Sequence, residues 1–172
     1  MLLFINFFFI FIENSISIID KPIPLLKMLT GCRTTFKYRK AFPRPDKEFT
    51  EIDTMCEIQI EPGTLPGEII ESPFYERGIG KKVFVIVREK EEKSPTFVRH
   101  GIDLIHIAYI SMVDYLEGCD LTIPTLDGDM LPLYVKKSNS TGSYHRFPGR
   151  GLPDKKQPPK RGDLLVLVQE ER

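Results

Sequence analysis

The side chains of this sequence that could do chemistry are few: three histidines, three cysteines and one strand that mixes aromatic with basic residues. His100 precedes a glycine, His106 lies in an alternating apolar stretch, and His145 stands between Tyr144 and Arg146. None has a Cys, Ser or acidic partner at a spacing that would build a triad or a metal site. Cys32, Cys56 and Cys119 are far apart and odd in number, and no CxxC pair occurs. That pattern argues against structural zinc or a dithiol redox centre and fits free thiols in a reducing compartment. No GxSxG, P-loop, HExxH or GxGxxG motif is present. The chain therefore reads as non-enzymatic, with no catalytic residue, no metal and no cofactor.

Binding chemistry is easier to find. In Arg33 to Arg39 (RTTFKYR), Phe36 and Tyr38 fall on one face of a strand, and Arg33, Thr35, Lys37 and Arg39 on the other. Such a stripe is either core backed by a solvated face or the wall of a shallow groove. A groove of that kind takes extended peptide at a sheet edge, where main-chain bonds give affinity and pockets give preference. The residues alone leave both open. Arg161-Gly162-Asp163 spells an adhesion tripeptide, but a glycine turn handing the chain to a final strand is the stronger reading. The basic loop Lys155, Lys156, Lys160 and Arg161 lacks the interleaved aromatics of a nucleic-acid surface. With 24 basic and 24 acidic side chains, bulk charge favours neither nucleic acid nor a membrane surface.

The elements that must hold these residues are short. Fourteen prolines and twelve glycines cut the 172 residues into strands and turns rather than long helices. Cys56, Ile58 and Ile60 alternate with Glu57, Gln59 and Glu61 as in a strand with one wet face. Ala41 to Glu48 reads as a loop, and Lys81 to Glu89 as a central strand covered on both faces. The charged run Glu89 to Ser94 reads as a solvated linker. Beyond it the rhythm repeats. Asp103 to Ile110 is a strand, and Ser111 with Asp114 opens one or two helical turns. Cys119 to Pro124 and Met130 to Val135 flank an Asp-Gly hairpin, and Asp163 to Val168 closes the chain. The apolar run Leu2 to Ile12 is too short for a comfortable membrane span, which needs about 20 residues. It lacks the basic start and cleavage site of a signal peptide, and it is left out of the fold.

Several motifs, in order, resemble the C-terminal substrate-binding region of DnaJ-type co-chaperones, the type without a zinc finger. Phe97 to Leu104 (FVRHGIDL) is similar to the family's F-x-R-x-G-x-D-L. Ile110 to Gly118 resembles I-S-x-x-x-A-L-x-G, with Tyr115 where a small residue is usual. Pro124 to Gly128 matches P-T-L-D-G, Phe147 to Pro153 the glycine-proline turn, and Arg161 to Leu164 R-G-D-L. Earlier, Leu25 to Cys32 resembles L-E-E-I-Y-x-G-C, and Ile58 to Gly63 resembles I-x-I-x-P-G. The resemblance covers about residues 22 to 170.

It implies an all-β fold with short helices, built as two tandem β-sandwich-like subdomains. Residues 1–21 are a leader, 22–90 a first subdomain lacking part of its opening strand, and 95–172 a second. The first subdomain is expected to hold unfolded or extended client polypeptide, and the acidic C-terminal tail of a DnaK-type chaperone, in a groove. The peptide-binding residues so implied are Phe36, Lys37 and Tyr38, with Val85 on the opposing strand in an aromatic's place. Thr34 stands where a basic residue is common. The alternative is a truncated or structural fragment, or part of a full co-chaperone, with no client binding of its own. No J domain or His-Pro-Asp tripeptide is present, and the segment that pairs protomers in the family is missing, so a monomer is expected. The compartment implied is the cytoplasm, or the endoplasmic reticulum lumen if the leader is a signal.

Overall fold

A computed structural model describes residues 16–43, 49–72, 82–93, 95–137 and 144–171, with side chains at all of these except 16, 17, 38–43, 49–54 and 82. The all-β expectation holds: strands dominate, and two six-residue helices interrupt them. The apolar run Leu2 to Ile12 lies outside the described residues.

The same path is traced twice. In the first half, β1 (Ile16–Ile23) leads through α1 (Leu25–Thr30) into the hairpin β2 (Cys32–Pro43) and β3 (Phe49–Ile60). The chain then returns by β4 (Ile69–Glu71) to β5 (Lys82–Glu89), which lies parallel to β1 and antiparallel to β4. A three-residue strand, β6 (Val98–His100), precedes the second half. There, β7 (Asp103–Ile110) leads through α2 (Met112–Glu117) into the hairpin β8 (Cys119–Pro124) and β9 (Met130–Val135). The return runs by β10 (Tyr144–Phe147) to β11 (Leu164–Glu170), parallel to β7 and antiparallel to β10. A parallel pair cannot be joined by a tight turn, so in each half a helix and a hairpin supply the crossover.

Local sequence explains the pivots. Ser111 caps α2, its hydroxyl accepting from the Asp114 amide at 3.1 Å and donating to the Asp114 carboxylate at 2.7 Å. Both helices end on a glycine with positive φ, Gly31 at 72° and Gly118 at 89°, followed in each case by a cysteine that starts the hairpin. Each glycine also presses on the end of its own hairpin. A Cβ on Gly31 would lie 2.9 Å from the Ile60 carbonyl oxygen, and one on Gly118 would lie 2.8 Å from that of Val135.

Burial follows the strand period. Cys56, Ile58 and Ile60 point into one core with Ile19, Ile23, Met28, Val83, Val85 and Val87. A second cluster gathers Leu104, Ala108, Ile110, Ile123, Val135, Leu152, Leu164, Val166 and Val168. Helix α1 serves both, giving Met28 to the first cluster and Leu29 to the second. Arg99 ties the same junction. Its guanidinium, 7% exposed, donates to the Gly101 carbonyl at 2.7 Å and the Thr64 carbonyl at 3.4 Å, and lies 3.6 Å from Glu89. Burial lowers the Arg99 pKa while Glu89 opposes the shift. Lys155 adds bridges to Glu61 at 2.9 Å and Glu68 at 3.0 Å.

Three sequence expectations change. Residues 16–21, expected in the leader, belong to β1 of the first half, where Ile19 and Ile23 are core residues; the apolar run only three residues upstream makes them read as its continuation. Residues 41–43 of the expected loop 41–48 belong instead to β2, which runs to Pro43; 44–48 lie outside the described residues. β5 is central in its sheet but its faces are covered unequally: Val83, Val85 and Val87 are buried, while Phe84 and Ile86 between them are half-buried.

The Arg161-Gly162-Asp163 turn is spent on structure. Arg161 donates to the Gly151 carbonyl at 2.8 Å and to Asp127 at 3.2 Å. Asp163 accepts from the Gly149 amide at 2.9 Å and pairs with Arg146. The Gly149 amide, aided by Arg146, holds the Asp163 carboxyl below its ordinary pKa, and Thr125 with Arg161 does the same for Asp127. A carboxylate whose folded pKa is depressed stabilises the fold above its unfolded pKa, about 4, and loses that contribution as pH falls through the folded value. The urea midpoint is therefore expected to drop below about pH 4, and less steeply in Asp163→Asn than in the wild type. Parallel pH profiles for the two proteins would count against this role for Asp163.

Candidate peptide-binding site

The candidate site lies where β1 and β2 leave the first core. β2 pairs only with β3 and β1 only with β5 among the described residues, so each keeps an outer edge without a strand partner. The two hairpins differ in length. β8–β9 pairs six residues and stops at Pro124, whereas β2–β3 pairs twelve and carries the chain on to Pro43. Four residues after its opening cysteine, β8 places Ile123, only 2% exposed, in the second core. The same offset in β2 falls on Phe36, which packs against the first core but stays half-exposed.

Of the expected site residues, Phe36 and Lys37 are adjacent on β2 and lean to opposite faces, as the pleat demands. Phe36 shares its face with the half-buried Cys32 and Thr34. Lys37 is exposed and stands opposite Met55, itself 54% exposed. A segment lying along the β2 edge would meet both faces at once. Tyr38 continues β2 opposite Thr54, and its side chain lies outside those described. Val85 is a correction. It sits on β5 between Ile19 and Ile70, at 0% exposure, so it forms the floor of the core and offers no surface to a ligand. A valine in a central strand's inward row is taken up by packing, whatever a larger aromatic there would reach.

Sequence reasoning missed Lys21. Its ammonium lies 5.0 Å from the centroid of the Phe36 ring, a cation–π distance. Fifteen positions of chain separate the two residues, and only the fold of β1 against β2 brings them together. The nearby carboxylates are engaged elsewhere: Asp20 with Arg88 at 2.9 Å, and Glu57 with Arg33 at 3.0 Å. Among the described residues no carboxylate pairs with Lys21 or Lys37, so both ammonium groups are available to a ligand's carboxylates.

The histidines do not converge on one place. His106 Nδ1 lies 2.9 Å from the Thr96 carbonyl and its ring is tilted over Phe97, while His100 is exposed. No helix among the described residues is long and apolar enough to cross a membrane.

Comparison with known proteins agrees with this architecture. The sequence profile of the DnaJ C terminal domain matches residues 18–171. The chain is 31% identical to Protein SIS1 of Saccharomyces cerevisiae over 151 residues, covering 86% of this chain and 42% of that protein. It is 34% identical over 120 residues to DnaJ homolog subfamily B member 5 of Homo sapiens, covering 70% of this chain and 30% of the relative. DnaJ protein homolog 1 of Drosophila melanogaster is 29% identical over 154 residues, 85% of this chain and 40% of that protein. The chain thus spans less than half the length of these curated relatives.

Proposed function

Because this chain belongs to the DnaJ C-terminal domain family, we propose that it binds extended or unfolded polypeptide as the client-holding part of a co-chaperone. The single observation that carries this is the overshoot of the first hairpin. β2 runs on past Phe36 to Pro43 with an edge that has no strand partner among the described residues, and it presents Phe36 half-exposed instead of closing it in. An extended segment added to that edge gains main-chain hydrogen bonds whatever its sequence. Phe36, and Tyr38 two residues on, supply apolar contact, and Lys37 meets carboxylates. Val85 has no part in it.

The partners that fit are unfolded clients and the acidic C-terminal tail of a DnaK-type chaperone. Such a surface holds its client and makes or breaks no bond in it. The three free cysteines suit the cytosol.

The test is a light-scattering assay with the full chain and a thermally denatured reporter enzyme. At a stoichiometric ratio the chain is expected to slow the rise in scattering, and an acidic apolar peptide is expected to relieve that protection by competition. Lys37→Glu should leave thermal stability within about 0.5 kcal/mol, as exposed substitutions do, and make the peptide a poorer competitor. Scattering that rises at the same rate with and without the chain would sink the proposal.

A further inference from the structure

We propose that Lys21 is the residue that sets the preference of this groove, turning it from a general apolar site into one selective for segments that carry a carboxylate beside an apolar side chain. The inference rests on the client-binding reading above.

The anomaly is the row in which Lys21 stands. Ile19, Lys21 and Ile23 share one face of β1, and both isoleucines are buried in the first core. A lysine is among the residues least often found in such a row. The repeat in the second half shows what the row ordinarily holds. There β7 carries Ala108 two residues before the buried Ile110, as β1 carries Lys21 two residues before Ile23. Ala108 and Ile123 both lie in the second core. In the first half the corresponding pair is Lys21 and Phe36. They are not sealed in a core: both remain half-exposed, with the ammonium 5.0 Å from the ring centroid.

Two consequences follow for a ligand. A neutral apolar segment that reaches Phe36 must displace the ammonium from the ring and cover a charge without pairing it, so part of its gain is lost. A segment bearing Asp, Glu or a terminal carboxylate one or two residues from an apolar side chain can cover the ring and pair the ammonium together. Asp20 does not compensate Lys21 from within, because Arg88 holds it at 2.9 Å. Lys37 acts from the opposite face of β2 and so cannot impose this choice at the ring.

The test is fluorescence anisotropy on the full chain with two labelled peptides of equal length, one neutral and apolar, the other identical except for a glutamate beside its central leucine. The wild type is expected to bind the acidic peptide more tightly, with the margin shrinking in high salt. Lys21→Met is expected to bind the neutral peptide roughly two- to fivefold more tightly than the wild type does, and the acidic one more weakly. The gain for the neutral peptide is the decisive sign, since a mere loss of positive charge would weaken only the acidic one. An unchanged ratio in Lys21→Met, while Phe36→Ala weakens binding of both peptides, overturns the role of Lys21 and leaves the groove standing. No binding of either peptide to the wild type overturns both.

Discussion

Gly162→Ala is expected to lower the stability of the protein by about 3 kcal/mol or more. Gly162 lies in a crossing of backbones with no room for a side chain. Its carbonyl accepts from the Gly151 amide at 2.8 Å, and its own amide donates to the Leu152 carbonyl at 2.9 Å. The Leu152 amide donates to the Ile102 carbonyl at 2.8 Å, so three segments lock together there. A Cβ on Gly162 would collide with the backbone of Ile102 and stand 2.7 Å from the Asp103 carboxylate. Backbone cannot move aside as the end of a flexible side chain can. The collision therefore has to shift Ile102, whose carbonyl accepts from the amide of Leu152, a fully buried residue of the second core. Gly149→Ala is the comparison. Its φ of 70° disfavours a side chain, but no atom lies within 4 Å of the added carbon, so conformational strain of about 1 kcal/mol is all it should incur. Urea unfolding of the two variants separates packing from backbone preference, and equal midpoints would refute the close approach. Because Leu29 of α1 belongs to the second cluster and its neighbour Met28 to the first, unfolding should remain a single transition.

Phe36→Ala is expected to weaken client or peptide binding about 30-fold, the loss associated with about 2 kcal/mol at an aromatic hot spot. The ring is half-buried against the first core, so the variant also loses some stability, about 1 kcal/mol. Two further variants separate these effects. Phe36→Leu keeps most of the packing and loses the flat ring, and it should retain stability better than affinity. Val85→Ala does the reverse: it removes methyl groups from the fully buried floor, costs about 2 kcal/mol of stability, and leaves the affinity of the folded protein unchanged. Should Val85→Ala and Phe36→Ala lose affinity in proportion to lost stability, the ring is a packing residue and not a contact.

The contrast between Phe36 and Val85 shows how far the sequence could be read. Both were implied as site residues by resemblance. Phe36 keeps surface at the margin of the first core, and Val85 loses all of it because its side chain points into that core with Met28, Cys56 and Ile58. Alternation along β3 marked Cys56, Ile58 and Ile60 as inward, and they are. Alternation did not separate β1 from the leader, because Ile16, Ile18 and Ile19 follow the apolar run Leu2 to Ile12 after only Glu13, Asn14 and Ser15. Nor could it find β6 and β10, of three and four residues, which are too short to carry a period.

What the sequence by itself determined is the order and kind of the elements. Strand periodicity, the Asp-Gly hairpin, the Ser111 cap and the glycine turns are interactions among residues a few positions apart, so they are written locally. The absence of catalytic spacing among the histidines and cysteines was equally plain in the chain. Tertiary structure alone decided which of two equally patterned strands is covered and which is left open. Exposure depends on what another part of the chain lays across a face, and no local pattern encodes that. The meeting of Lys21 with Phe36 is of this kind: the two side chains belong to different strands and different sheets, and the packing of those sheets makes them one site.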